Sequence, residues 1–219
     1  MMNFSLPLLT AIFAGAVLVS ALFSLTSIRL PLVLRGYTFS SFFLALLAGT
    51  IGLQFDSEHL LTIGIAILLV KTIAIPLLLF HTAERSGASM RLACYIRPTP
   101  TYYIAGLVLL ILLFTLQTSP FSAFVNPGYL LYLSVGLVLI GFLMMLLRKN
   151  IYSQIIGFLT MENGISVFSI TVAREVPFLI ETGILSAVLI GAILMSILSR
   201  RVRELYGSED TSSLHELID

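Results

Sequence analysis

Apolar runs of about twenty residues recur along this chain of 219 residues, separated by short breaks that contain charged residues, proline or glycine. An α-helix rises about 1.5 Å per residue, so a run of about 20 residues crosses the roughly 30 Å hydrocarbon core of a bilayer. Hydrophobic residues make up 58% of the chain and charged residues only 11%, which excludes an ordinary soluble domain. The pattern therefore predicts an all-α, polytopic integral membrane protein.

Seven such runs define the predicted membrane helices. They cover residues 6–28, 36–55, 60–80, 102–116, 128–147, 151–172 and 177–198. No basic residue precedes the first run, which is longer than a signal-peptide core, so we expect it to remain as a membrane helix. We predict a single membrane domain, in which 1–100 hold three helices and a polar loop, 101–199 hold four helices, and 200–219 form a cytoplasmic tail.

The positions of the basic residues predict the orientation. Ten of the twelve fall in alternate connections or after the last run: Arg29, Arg35, Arg85, Arg91, Arg97, Arg148, Lys149, Arg200, Arg201 and Arg203. The other two are Arg174 and Lys71. Because Lys and Arg near helix ends are retained on the cytoplasmic side, the pattern predicts an N-terminus outside the cell and a C-terminus in the cytoplasm.

Two ionisable residues, Lys71 and Glu162, each lie eleven residues into an apolar run. An ionised group at that depth, about 16 Å at the helical rise, costs roughly 3 kcal/mol, so both should face protein or water. Burial favours the neutral form of an acid and of an amine, so both residues are candidates for proton transfer. The alternative is a mutually satisfied salt bridge that only orients the third and sixth helices.

Three further residues are candidates for supporting roles. Pro76 lacks an amide hydrogen and should weaken or kink the third helix beside Lys71. His81, near the predicted end of that helix, is a candidate for proton exchange with water because of its residue type, although most such histidines are interfacial. Glu181, about one turn into the seventh run, fits a helix N-terminus better than a deep relay.

The sixth run carries small and polar residues around Glu162. Gly157 and Gly164 are seven residues apart and share a helix face, which permits close approach of a neighbouring helix. Asn163 and Ser166 supply polar atoms, and Ser166 lies one turn beyond Glu162. A hydrogen-bonded stripe and ordinary small-residue packing both fit this pattern.

Composition excludes several other functions. Cys94 is the sole cysteine, and no His, Cys, Asp and Glu cluster has the spacing of a zinc, haem or iron–sulfur site, so we expect no metal or redox cofactor in this chain. No nucleophile, base and orienting group occur together, so an enzyme active site is not expected. The net charge of +1 gives no reason to expect nucleic acid as a partner.

Three segments resemble a known family. They are 66–76, which contains Lys71 and Pro76; 148–158, which begins with Arg148 and Lys149; and the most specific, 161–164, which reads Met, Glu, Asn and Gly. These segments are similar to the E subunit of hydrogenase-4 and its counterparts in formate hydrogenlyase-type membrane hydrogenase complexes. The length, the seven runs and the short polar tail agree with this resemblance.

The resemblance implies a function. The last three helices of that family are similar to the K subunit of respiratory complex I, whose mid-membrane carboxylate matches Glu162. A non-catalytic subunit of the cell inner membrane is implied, one station in a lateral proton path. It would lie between antiporter-like subunits and the anchor of a peripheral arm that carries nickel–iron and iron–sulfur centres. This chain departs from the K subunit because residues 183–198 contain no second acid.

Two alternatives belong to other functional classes. An assembly subunit would use the buried charges only to fix helix register. A stand-alone secondary transporter generally shows repeated halves and interrupted helices in pairs, and neither is evident here. The identity of any transported ion, whether proton or sodium, stays open.

Overall fold

Six helices are present in the part of the chain that this computed structural model describes, namely residues 6–85, 90–96, 98–118, 128–172 and 197. They are α1 Leu6–Thr26, α2 Leu30–Gln54, α3 Glu58–Arg85, α4 Pro98–Thr118, α5 Tyr129–Leu147 and α6 Ile151–Val172. Helices α1, α2, α3 and α5 are long and apolar enough to cross a membrane. A helical, multi-pass membrane protein is thus confirmed. The predicted seventh helix, 177–198, lies outside the described residues except for residue 197, and so does the tail, 200–219.

The structure corrects several predicted boundaries. Helix α2 begins at Leu30 and not near residue 36, so Arg35 lies inside the helix and not in a connection. Pro31 explains the early start, because its fixed φ suits the first turn, where no amide donor is needed. Helix α3 begins two residues earlier than predicted, where Ser57 caps it, and continues five residues further, to Arg85. Helix α4 begins at Pro98, four residues before the predicted start.

Helix α2 occupies the centre of the bundle and packs against α1, α3 and α6. Small residues allow a close contact with α1: a Cβ on Gly36 would lie 2.8 Å from the Cβ of Ser24. The Ser24 hydroxyl donates to the Val33 carbonyl at 2.9 Å, so the same contact is also polar. Helices α5 and α6 form the other closely packed pair, and α4 lies outside them against α5 and α1.

Glycines set the distance between α5 and α6. A Cβ on Gly164 would lie 2.7 Å from the Ser134 carbonyl oxygen, and a Cβ on Gly157 would lie 3.0 Å from the Gly141 carbonyl oxygen. Side chains at these positions would push the two backbones apart. The prediction that Gly157 and Gly164 permit close helix approach is confirmed, and the partner helix is α5.

The segment 90–96 closes one end of the bundle. Its backbone bonds to both neighbouring connections: Leu92 N donates to Ile28 O at 2.9 Å, and Tyr95 N donates to Leu147 O at 3.1 Å. Arg148, only 3% exposed, reaches beneath it. The Arg148 guanidinium donates to the Leu25 and Ser27 carbonyls and to Cys94 Sγ.

Burial lowers the pKa of Arg148 from its ordinary value because the charged form loses hydration. The cation is retained by three acceptors that belong to α1, to the turn after it and to the docked segment. Arg148 therefore joins three parts of the chain at this end.

Candidate functional site

Lys71 lies in a π-helical segment, Leu68–Ala74, near the middle of α3. At the end of this segment the Ile75 amide donates to the carbonyl of Val70, five residues earlier. In an α-helix the amide would donate to the carbonyl four residues earlier. Pro76 follows this π-helical segment closely. Because proline has no amide hydrogen, it cannot donate the next backbone hydrogen bond of an α-helix. Lys71 is the one buried side chain of the segment.

Lys71 forms an ion pair with Glu162 in the interior of the bundle. The lysine is 0% and the glutamate 4% exposed, and both lie near the middle of their helices. The Lys71 ammonium donates to Ser166 Oγ at 2.9 Å and to Asn163 Oδ1 at 3.3 Å, and Glu162 Oε2 lies in direct contact with it as the counter-ion. All three of these partners of Lys71 lie on α6.

The α6 side chains extend this arrangement into a network. Ser166 donates to Glu162 Oε1 at 3.1 Å while it accepts from Lys71, so one hydroxyl contacts both charges. Asn163 Nδ2 donates to the Ser41 hydroxyl of α2 at 3.0 Å. The buried charges are thus tied by hydrogen bonds to three helices.

Two residues of α2 that the sequence analysis missed adjoin this network. Ser41 accepts from Asn163, and Tyr37, one turn earlier on the same helix face, is completely buried. The Tyr37 hydroxyl lies near Ser41, although no described residue is aligned to form a good hydrogen bond with it. Adjacent serines in an apolar run, Ser40 and Ser41, were the available sequence signal.

The structure brings together four predicted site residues: Lys71, Glu162, Asn163 and Ser166. Pro76 is buried on α3 just beyond the π-helical segment. His81 is exposed near the end of α3 and is not part of the network. Glu181 lies outside the described residues.

The site is a buried hydrogen-bonded network that contains two ionisable side chains. Carboxylate, hydroxyl and ammonium form a continuous hydrogen-bonded series, Glu162 to Ser166 to Lys71, and each end can gain or lose a proton. Among the described residues, no group of three His, Cys, Asp or Glu side chains is placed to hold a metal ion.

The helices and the buried pair define a multi-pass membrane protein with a charged, protonatable site inside its bundle. Over 206 residues the chain is 26% identical to hydrogenase-4 component E of Escherichia coli K12, covering 93% of this chain and 94% of that protein. The Shigella flexneri hydrogenase-4 component E matches to the same extent. An uncharacterized Mycobacterium tuberculosis protein is 29% identical over 174 residues, 77% of each chain.

The C-terminal part matches a family model. Residues 129–218, which include Glu162, match the NADH-ubiquinone/plastoquinone oxidoreductase chain 4L family. No solved structure matches the chain. These comparisons confirm the resemblance to hydrogenase-4 component E, and they confirm that its last part is similar to the small complex I subunit.

Proposed function

We propose that this chain is a non-catalytic membrane subunit of a complex I-like membrane hydrogenase, and that Lys71 and Glu162 are stations of a lateral proton path. The observation that carries the proposal is the ion pair between these two residues at mid-helix, with Glu162 inside the part that matches the chain 4L family. A buried ionisable residue in a membrane bundle faces protein or water and commonly marks a proton route.

The contacts of Lys71 and Glu162 support a route for proton movement through this site. Protonation of Glu162 removes the negative charge that holds Lys71, which then retains only the neutral acceptors Asn163 and Ser166. A proton passed on from Lys71 leaves a neutral amine beside a neutral acid. Each change of protonation alters the free energy of the next proton transfer, and a proton relay needs this coupling.

The assembly follows from the same proposal. The chain has seven spans, an outer N-terminus and a cytoplasmic C-terminus, in one domain of the cell inner membrane. Its partners are membrane subunits that include antiporter-like proteins, and nickel–iron and iron–sulfur centres reside in other subunits. Arg29 and Arg148, which adjoin the docked segment 90–96 from two different connections, support a common basic, cytoplasmic end.

A structural role is the second candidate. The Lys71 ammonium has a counter-ion and two hydrogen-bond acceptors on α6, which also fits a pair that only fixes α3 against α6. Breaking a buried pair by removing one partner costs about 3–5 kcal/mol because the other charge is left uncompensated, so a single substitution confuses loss of transport with loss of folding. Removing both charges together avoids this difficulty.

The test therefore compares Glu162→Gln with the double variant Glu162→Gln and Lys71→Met in the assembled complex. Glu84→Gln, the same change at an exposed acid near the end of α3, is the matched control. Hydrogenase turnover and proton uptake are measured in the same inverted membrane vesicles, and subunit recovery is measured by mass spectrometry.

The proposal requires that the double variant assemble and turn over while proton uptake per hydrogen falls, with the control unchanged. Normal uptake in an assembled double variant would favour the structural role. Recovery of the wild-type chain without hydrogenase subunits would overturn the assignment to such a complex.

A further inference from the structure

A groove of about 360 Å³ runs between α2 and α3, apart from the ion-pair network. Leu34 and Arg35 contribute to it from α2, and α3 contributes Ile73, Pro76, Leu77 and Phe80. Its volume lies in the range of sites for small molecules, roughly 300–1,000 Å³. The groove combines one cationic side chain, Arg35, and two threonines, Thr38 and Thr72, with walls that are otherwise apolar.

The apolar wall belongs to the outer face of α3. Ile73 is 46%, Leu77 63% and Phe80 37% exposed, and they continue a stripe from Ile65 and Leu69 at helical spacing. In a membrane-spanning helix this exposed stripe contacts acyl chains or another membrane protein. The groove is therefore open to the hydrocarbon region of the bilayer.

The cationic side chain lies toward one end of the groove. Arg35 is exposed in the second turn of α2, about 8 Å along the helix from Leu30 at the helical rise. No described residue forms an ion pair or hydrogen bond with its guanidinium. The exposed Arg29 precedes the same helix, and Arg85 and Glu84 end α3. Long Arg side chains at such depths reach toward the headgroup layer.

We propose that this groove binds one anionic glycerophospholipid, with its phosphate on Arg35 and an acyl chain along Leu34, Ile73, Leu77 and Phe80. A planar guanidinium binds phosphate through two parallel N–H bonds, and an anionic lipid is favoured because its headgroup carries no second cation to oppose Arg35. The open apolar wall selects the acyl chain, which a soluble phosphate lacks. This lipid-binding proposal does not depend on the proposed role of the chain in a hydrogenase complex.

The first test is native mass spectrometry of the full chain, delipidated in mild detergent and titrated with phosphatidylglycerol or phosphatidylcholine of the same acyl composition. Wild-type protein should bind phosphatidylglycerol about tenfold more tightly than phosphatidylcholine, because the choline ammonium repels the Arg35 guanidinium. Arg35→Gln should remove the preference, whereas Arg85→Gln should keep it. Equal binding of both lipids by the wild type, or equal effects of the two substitutions, would overturn the proposal.

A second test identifies the occupant in membranes. A photo-crosslinking amino acid at position 77 should form lipid adducts that are enriched in phosphatidylglycerol over its share of the membrane, and Arg35→Gln should remove the enrichment; equal enrichment in both backgrounds would contradict the proposal. Adducts with another protein subunit at this position would show instead that the groove is a protein interface. Far-ultraviolet circular dichroism and gel filtration of each variant separate loss of binding from loss of folding.

Discussion

Asn163 donates a hydrogen bond to the hydroxyl of Ser41 at 3.0 Å, and this bond joins α6 to the central helix α2. The same amide accepts from Lys71 through its oxygen at 3.3 Å. Asn163 thus uses both ends of its side chain between helices, and its orientation beside the ion pair depends on Ser41.

Ser41→Ala should destabilise the chain by about 1–3 kcal/mol, the cost of leaving a buried amide donor without an acceptor. Ser40→Ala is the control, since the Ser40 hydroxyl makes only a long bond of 3.4 Å to the Val17 carbonyl. The denaturation midpoint in detergent measures both. A larger loss for Ser40→Ala than for Ser41→Ala would contradict the network.

Lys71→Met should destabilise the chain by about 3–5 kcal/mol, because Glu162 would stay buried without its counter-ion. Adding Glu162→Gln should recover most of that loss, since no uncompensated charge remains. A double-mutant cycle of unfolding free energies measures the coupling. Additive losses from the two substitutions would mean that the residues do not form a pair in the folded protein.

Gly164→Ala should cost about 1–3 kcal/mol, the range for overpacking, because the new methyl group would meet the backbone of α5 at 2.7 Å. Gly106→Ala in α4 is the matched control, as nothing lies within 4 Å of the position that its methyl group would take. That control should be neutral or stabilising by about 0.5–1 kcal/mol from helix propensity. Thermal midpoints of both variants measure the difference, and equal midpoints would contradict the close contact.

Arg148→Met should release the segment 90–96, because the carbonyls of Leu25 and Ser27 and the sulfur of Cys94 lose their shared donor. We expect faster reaction of Cys94 with a water-soluble thiol reagent, measured by mass increase over time. Arg85→Met, at an exposed position, is the control and should leave the rate unchanged. An unchanged rate in Arg148→Met would show that the segment is held by its backbone bonds alone.

The sequence predicted the six described helices well because each apolar run carries its own length signal. Lys71 and Glu162 were recognisable for the same reason, since a charge inside such a run is conspicuous without any knowledge of its neighbours. The early start of α2 was missed because Arg35 resembled a loop residue, although Pro31 marked the first turn of a helix.

Contacts between helices could not be predicted from local sequence patterns. Ser41 and Tyr37 belong to the site because α2 packs against α6, and no local pattern states which helices are neighbours. The docking of 90–96 on two connections likewise depends on residues more than fifty positions apart. The wider turn at Leu68–Ala74 has a local cause in Pro76, but the sequence suggested a kink and not a π-helical segment.

The direct contact between Lys71 and Glu162 determines how strongly the membrane voltage acts on this ion pair. Moving one elementary charge across the whole membrane changes its free energy by about 2.3 kcal/mol at a potential of 100 mV. Two opposite charges in direct contact are separated by far less than the roughly 30 Å hydrocarbon core, so the field acts on them almost equally and oppositely. The resting pair is therefore nearly insensitive to voltage, and the site becomes sensitive to it only when Lys71 and Glu162 separate or one of them is neutralised.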